Sequence, residues 1–239
     1  MIAIGFALGG TLVRAEAIEG EAFRRLCHEL AGSNPAPDPA LVDEAFAGEP
    51  DVLAAEGEAL APLLARLVSR VFRREPSPAV VAARFRQLAA GVAAECAEPL
   101  PGVARVLVEL DRLAVPKAIL TNGLSSVERA KASALQFAGK VLVSEEIGAR
   151  KPSPAAFAAL AREFALPVEC IWYVGADQGT DTRPAAAVGM HPIERVDAVL
   201  DAIREPYSRS ALSLRYIMRT ALEWRPGHFV APDEPPLRD

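Results

Sequence analysis

The chain has 239 residues, of which 51% are apolar and 24% charged, and its net charge is −5. That length holds one domain, or a core with a smaller insertion, and that apolar fraction excludes global disorder. With no dense Lys/Arg stripe, neither nucleic acid nor an anionic membrane is an expected partner.

Ile2 to Leu8 is near-continuously apolar, which predicts a parallel strand covered on both faces. No basic residue precedes it, Arg14 follows it, and it is too short to span a bilayer. A cytoplasmic location is therefore expected. From Glu16 to Glu95 the texture is Ala-rich and helical. AFRRLCHEL sets Phe23, Leu26, Cys27 and Leu30 on one face, and GSNPAPDP breaks the chain. A short helix follows Asp38, and APLLARLVSRVF forms a third. Ser77 as N-cap with Pro78 opens a fourth helix through AVVAARFRQLAAGVAAE.

After Pro101 helix and strand alternate. VARVLVELDRLA reads as helix, KAILTNG as strand, SSVERAKASAL as helix and VLVSEEIG as strand. PSPAAFAALAREFAL is then helix, CIWYVGAD strand, TRPAAAVGM a short helix, and His191 to Val196 a last strand. This rhythm predicts an α/β fold, a Rossmann-like doubly wound parallel sheet with an all-helical insertion after its first strand. The expected divisions are 1–13 with 97–204 as core, 14–96 as helical cap, and 205–239 as a C-terminal helix and Pro-rich tail. The apolar stripe of Ser210 to Trp224 is expected to pack on the core or across a two-fold homodimer interface.

In open α/β sheets ligands bind at the carboxyl ends of the strands. Those ends carry Ala7-Leu8-Gly9-Gly10-Thr11, Thr121-Asn122-Gly123, Lys151, and Gly175-Ala176-Asp177 with Asp181. In order and spacing they resemble the four motifs of the haloacid dehalogenase-like superfamily, in its helical-cap phosphatase and dehalogenase branch. The resemblance covers roughly residues 1–204 and is most specific over SEEIGARKPSPAAFAALAREFALPVECIWYVGADQGTDTRPAAAVGM. It implies a magnesium-dependent hydrolase or phosphotransferase fold, with Lys151 contacting the phosphate and Asp181 orienting Lys151.

The catalytic positions depart from that pattern. The family's first motif resembles F-D-L-D-G-T-L, its first Asp the nucleophile and its second the acid/base. Here Phe6 to Leu12 puts Ala7 and Gly9 in those places. The metal-binding Asp expected after Gly175 is Ala176, with Asp177 one residue later. The first Asp in the chain is Asp38, so no shift of register supplies a nucleophile. Ala has no atom to form an aspartyl intermediate and Gly no proton to donate. Magnesium prefers charged oxygen ligands, so binding of Mg²⁺ is expected to be weak or absent and no cofactor is expected.

What survives is the anion-binding half: Thr11, Thr121, Asn122, Gly123 and Lys151, with Asp177 and Asp181 beside them. With the carboxylates gone, the positive partners are expected to favour a small anionic or phosphorylated ligand. The leading expectation is a non-hydrolytic pseudo-phosphatase. An enzyme using Asp177 and groups of the insertion, and an ordinary phosphatase or dehalogenase with altered residues, stay open. Cys27, Cys96 and Cys170 are too far apart for a metal site or disulfide framework and are expected to be buried or semi-buried thiols. His28 reads as a half-exposed helical residue, His191 as structural, and His228 has no evident partner. Arg14, after the first loop, reads equally as an anion contact or a solvated charge.

Overall fold

The computed structural model describes residues 2–14, 18–49, 52 and 55–203. All elements below lie in one unit, Ile2–Val199; residues 200–203 form a helical turn of a second. The expected helix over 210–224, His228 and the Pro-rich tail lie outside the described residues.

The first strand is Ala3–Phe6 (β1), followed by a two-residue strand Val13–Arg14 (β2). Four helices follow: Ile18–Ala31 (α1), Pro39–Ala47 (α2), Leu60–Phe72 (α3) and Pro78–Cys96 (α4). Glu98–Pro99 (β3) pairs antiparallel with β2, Arg14 opposite Glu98. Chain exit and return are thus stitched together beside the main sheet. The rest runs Val103–Arg112 (α5), Lys117–Thr121 (β4), Ser125–Ala134 (α6), Lys140–Val143 (β5), Ser144–Ile147 (α7), Pro154–Phe164 (α8), Ile171–Val174 (β6), Arg183–Ala187 (α9) and His191–Ile193 (β7).

The main sheet has the order β5-β4-β1-β6-β7, all parallel, as the alternation predicts. Strand order reverses on either side of β1, which places a crevice at its carboxyl end. Phe6 lies opposite both Ile119 and Val174, so the ends of β1, β4 and β6 line up on one rim.

Two apolar clusters hold the frame. Phe157 and Leu160 of α8 pack with Leu120, Ile171 and Tyr173 behind the sheet. Phe23, Leu26, Leu64, Leu67 and Phe85 form the core of the helical insertion, and Leu124 and Val127 belong to the same cluster. Each such fully buried side chain contributes about 1.5–3 kcal/mol. The insertion therefore packs onto the start of α6, immediately beside the crevice.

Several local expectations are corrected. VLVSEEIG is a strand only to Val143; Ser144–Ile147 turn helical and end on the left-handed Gly148. Its continuous apolar run stops at Val143, and the helical turn that follows brings Glu145 and Glu146 to Ser125 of α6. Asp38 caps α2 by accepting the Ala40 N–H, whereas Ser77 makes no such bond although Pro78 does open α4. Cys27 is buried and Cys170 intermediate, but Cys96, at the end of α4, is exposed. His28 and His191 are both exposed, and His191 stacks on Trp172. No helix among the described residues is long and apolar enough to cross a membrane.

Candidate functional site

The loop after β1 is held by its own backbone. Ala7 N donates to Val174 O across the sheet, and Leu8 O accepts the N–H groups of Thr11, Leu12 and Val13. Gly10 takes a left-handed conformation at the tip. Ala7, buried at the strand end, thus presents a methyl group to the crevice, and Gly9 presents no side chain. The Thr11 hydroxyl accepts the Ala176 N–H at 3.1 Å, tying this loop to the one after β6.

Behind β6 the chain folds back through a π-helical turn, Gln178–Thr182. Gly175 makes this fit, since a Cβ there would lie 2.3 Å from Asp181 Cβ. Asp177 caps the turn, its Oδ1 accepting the Thr180 N–H at 2.7 Å, and that bond holds its carboxyl below the usual range. The turn buries Asp181, whose Oδ1 lies 2.6 Å from Lys151 Nζ. Lys151 also donates to the Tyr173 hydroxyl, which in turn donates to Leu120 O. Burial lowers the Lys151 pKa, against the opposing pull of Asp181, and raises that of Tyr173. The Asn122 amide pairs with the backbone N–H and C=O of Lys151, fixing the approach of that loop.

Helix α6 brings two charges absent from the sequence-based expectation, Glu128 from its first turn and Lys131 from its last. The Thr121 hydroxyl donates to Glu128 Oε2 at 2.6 Å, and Lys131 Nζ lies 2.7 Å from Glu128 Oε1. Both side chains are buried. Around the same helix start, Gly123 N–H is shared by Glu56 Oε1 and Ser144 Oγ, each at 3.0 Å. Ser125 N–H goes to Glu145 Oε2 at 2.8 Å. Glu56 pairs with Arg150, and Glu145 with Arg86 of α4.

The structure gathers Ala7, Gly9, Thr121, Asn122, Lys151, Asp177 and Asp181 around one cavity of about 190 Å³, together with Glu128 and Lys131. Thr11 lines a neighbouring hollow with Gly10, Pro101 and Ala176. Two expectations change. Thr121 and Gly123 are not open donors, because Glu128, Glu56 and Ser144 already take their hydrogens. Nor is the local balance positive, because buried Lys131 and Lys151 are matched by buried Glu128 and Asp181. Glu128 and Lys131 escape sequence reading because i, i+3 opposite charges on a helix ordinarily mark a solvated face. For Glu128 the usable signal is position: a helix that starts four residues after a strand end aims its first turn at the crevice, and Lys131 follows one turn on.

Magnesium does not fit this donor set. Ala7 and Ala176 bring no side-chain oxygen, and Asp181 is engaged by Lys151 through Oδ1 and by Asp177 N–H through Oδ2. No group of three or more His, Cys, Asp or Glu among the described residues is arranged to hold a metal ion.

The chain is 33% identical over 96 residues to glyceraldehyde 3-phosphate phosphatase of Methanopyrus kandleri, covering 39% of this chain and 41% of that protein. It thus spans about two fifths of the length of the curated relative it matches. Its fold is similar to 2-haloacid dehalogenase from Pseudomonas syringae pv. Tomato DC3000, with TM-score 0.64, 18% identity and coverage of 86% of this chain and 99% of that one. The HAD-hydrolase YfnB of Bacillus subtilis, solved bound to magnesium, superposes with TM-score 0.62 and 15% identity over 85% of this chain and 98% of its own. A family model for haloacid dehalogenase-like hydrolases matches residues 3–189, and the chain belongs to that family.

Proposed function

We propose that this chain is a non-hydrolytic member of its family, a pseudo-phosphatase that binds a small phosphate-bearing or otherwise anionic ligand without metal. One observation carries the reading: the end of β1 presents Ala7 and Gly9 where nucleophilic and acid/base carboxylates would stand, while the Lys151–Asp181 pair opposite is intact. No side chain at either position forms a covalent intermediate or moves a proton. Lys151 has three N–H donors, two of which go to Asp181 and Tyr173, leaving one for a ligand oxygen. The curated relative, a glyceraldehyde 3-phosphate phosphatase, makes a phosphorylated ligand the natural class. An enzyme built on Asp177 instead has to work with a carboxylate whose Oδ1 already caps the Thr180 N–H.

The test is turnover of an aryl phosphate and of glyceraldehyde 3-phosphate by the purified chain, with magnesium and with chelator. Both are expected to stay at background. Turnover that needs magnesium overturns the non-hydrolytic reading and restores the family's usual activity.

A further inference from the structure

The N-terminus of α6 is where an anion is expected to sit, because unpaired backbone N–H groups and the helix dipole converge there. In this molecule the chain supplies the anions itself. Three carboxylates from three segments meet at that end: Glu56 on Gly123 N–H, Glu145 on Ser125 N–H, and Glu128 on the Thr121 hydroxyl. Each has its own cation, Arg150, Arg86 and Lys131 respectively. Of the three, only Glu128 lies inside the cavity that Lys151 and Asn122 line. It is 4% exposed and uses both oxygens, one on Thr121 and one on Lys131. It also presses on the loop below, since a Cβ at Gly123 would stand 3.0 Å from Glu128 Oε1.

We infer that Glu128 is a built-in competitor for the anion site, its carboxylate holding on Thr121 and Lys131 the places that two oxygens of an incoming anion would take. The inference rests on the anion-binding reading above and adds its regulation. In the resting chain the buried set is neutral, two lysines against two carboxylates, and Asp177 adds a further, exposed carboxylate to the same cavity. An incoming phosphate then meets no net attraction and has to displace a carboxylate already hydrogen-bonded at both oxygens. Without Glu128, Lys131 is left buried without its partner, the set carries one positive charge, and the Thr121 hydroxyl is released. An anion restores what was removed, which is the condition for tight, charge-assisted binding.

The experiment titrates inorganic phosphate, with chelator present, into the wild-type chain, Glu128→Ala, Glu128→Gln and Glu128→Ala/Lys151→Ala, following heat and melting temperature. Glu128→Ala is expected to bind phosphate roughly tenfold tighter or more than wild type, and the double variant to lose that gain. Its melting temperature is expected to rise with phosphate by more than the wild type's. Glu128→Gln keeps the shape and removes only the charge, so it serves if Glu128→Ala does not fold, and it is expected to gain in the same direction. If wild type and folded Glu128 variants bind phosphate equally, the competitor role is overturned while the anion-binding reading stands. If none of them binds, both are overturned. If the gain survives in the double variant, the new site is not the one Lys151 lines and the inference falls.

Discussion

Lys151 Nζ and Asp181 Oδ1 stand 2.6 Å apart with only 7% and 6% of their side chains exposed. In a metal-dependent site such a pair would be one part of a larger charge balance. Here it is joined through Tyr173 to the backbone of β4. A buried pair of this kind adds little net stability relative to an apolar replacement, but breaking it strands a charge.

Asp181→Ala is therefore expected to lower the unfolding free energy by about 3–5 kcal/mol, the range for orphaning a buried ion. Lys151→Met combined with Asp181→Ala should cost clearly less than the sum of the single changes, because no charge is left alone. Urea titrations of the four proteins measure the coupling. Additive losses would show that the two residues stabilise the fold independently.

Gly123 and Gly91 should respond oppositely to alanine. Gly123 has φ near +139° and its added Cβ meets Glu128 Oε1 at 3.0 Å and Cγ at 3.2 Å. Gly123→Ala is expected to destabilise by about 1–3 kcal/mol through backbone strain and displacement of Glu128. Gly91 lies within α4, and a Cβ there meets nothing within 4 Å. Gly91→Ala is expected to stabilise by about 0.5–1 kcal/mol. Equal and small shifts in melting temperature for both would contradict the close packing at Gly123.

The parallel sheet and the rim it builds were legible because β1, β4 and β6 are apolar runs with the positions of the family's motifs at or just beyond their ends. The Lys151–Asp181 pair was legible from the family's motif order. What the sequence hid is side-chain traffic between segments distant in sequence. Glu56 reaches Gly123 across 67 positions, and Glu145 reaches Arg86 across 59. Nothing local distinguishes these glutamates from solvated ones. The two-residue ribbon of β2 and β3 was hidden for a different reason: Pro99 and Glu98 carry no strand signal, and the pairing exists only because the insertion returns beside its own start.

Thiol reactivity follows burial. Cys27 is enclosed in α1, and desolvation pushes its pKa up to about 12, so almost no thiolate forms near neutrality. Cys96 is exposed at the end of α4. A maleimide or disulfide reagent at pH 7.5 is expected to label Cys96 within minutes and Cys27 only after unfolding. Mass mapping of the labelled peptides decides, and rapid labelling of Cys27 in folded protein would mean the insertion opens readily.

The Glu145 clamp makes an acid-sensitive joint between the insertion and the sheet. Burial alone would raise this carboxyl's pKa. Against that, Arg86 donates through two nitrogens at 2.6 and 3.0 Å, and the N–H groups of Ser125 and Gly57 add two bonds at 2.8 Å. Together they hold the pKa at about 2, against 4.5 for the free side chain. Because the folded value is the lower one, the stabilisation is complete above pH 4.5. It declines as the unfolded chain takes up protons that the folded chain refuses, and it is gone below about pH 2. Between pH 4.5 and 3 this single group accounts for up to about 2 kcal/mol. Glu145→Gln removes the titration while keeping the shape, and Arg86→Ala removes the principal donor. Both variants are expected to be less stable than wild type at pH 7 and to lose less on going to pH 3, so the gap narrows with acid. Other paired carboxylates titrate in the same window, which is why the difference between variant and wild type is the quantity to read from urea titrations at the two pH values. Curves that stay parallel from pH 7 to pH 3 would show that Glu145 is not the acid-sensitive tie.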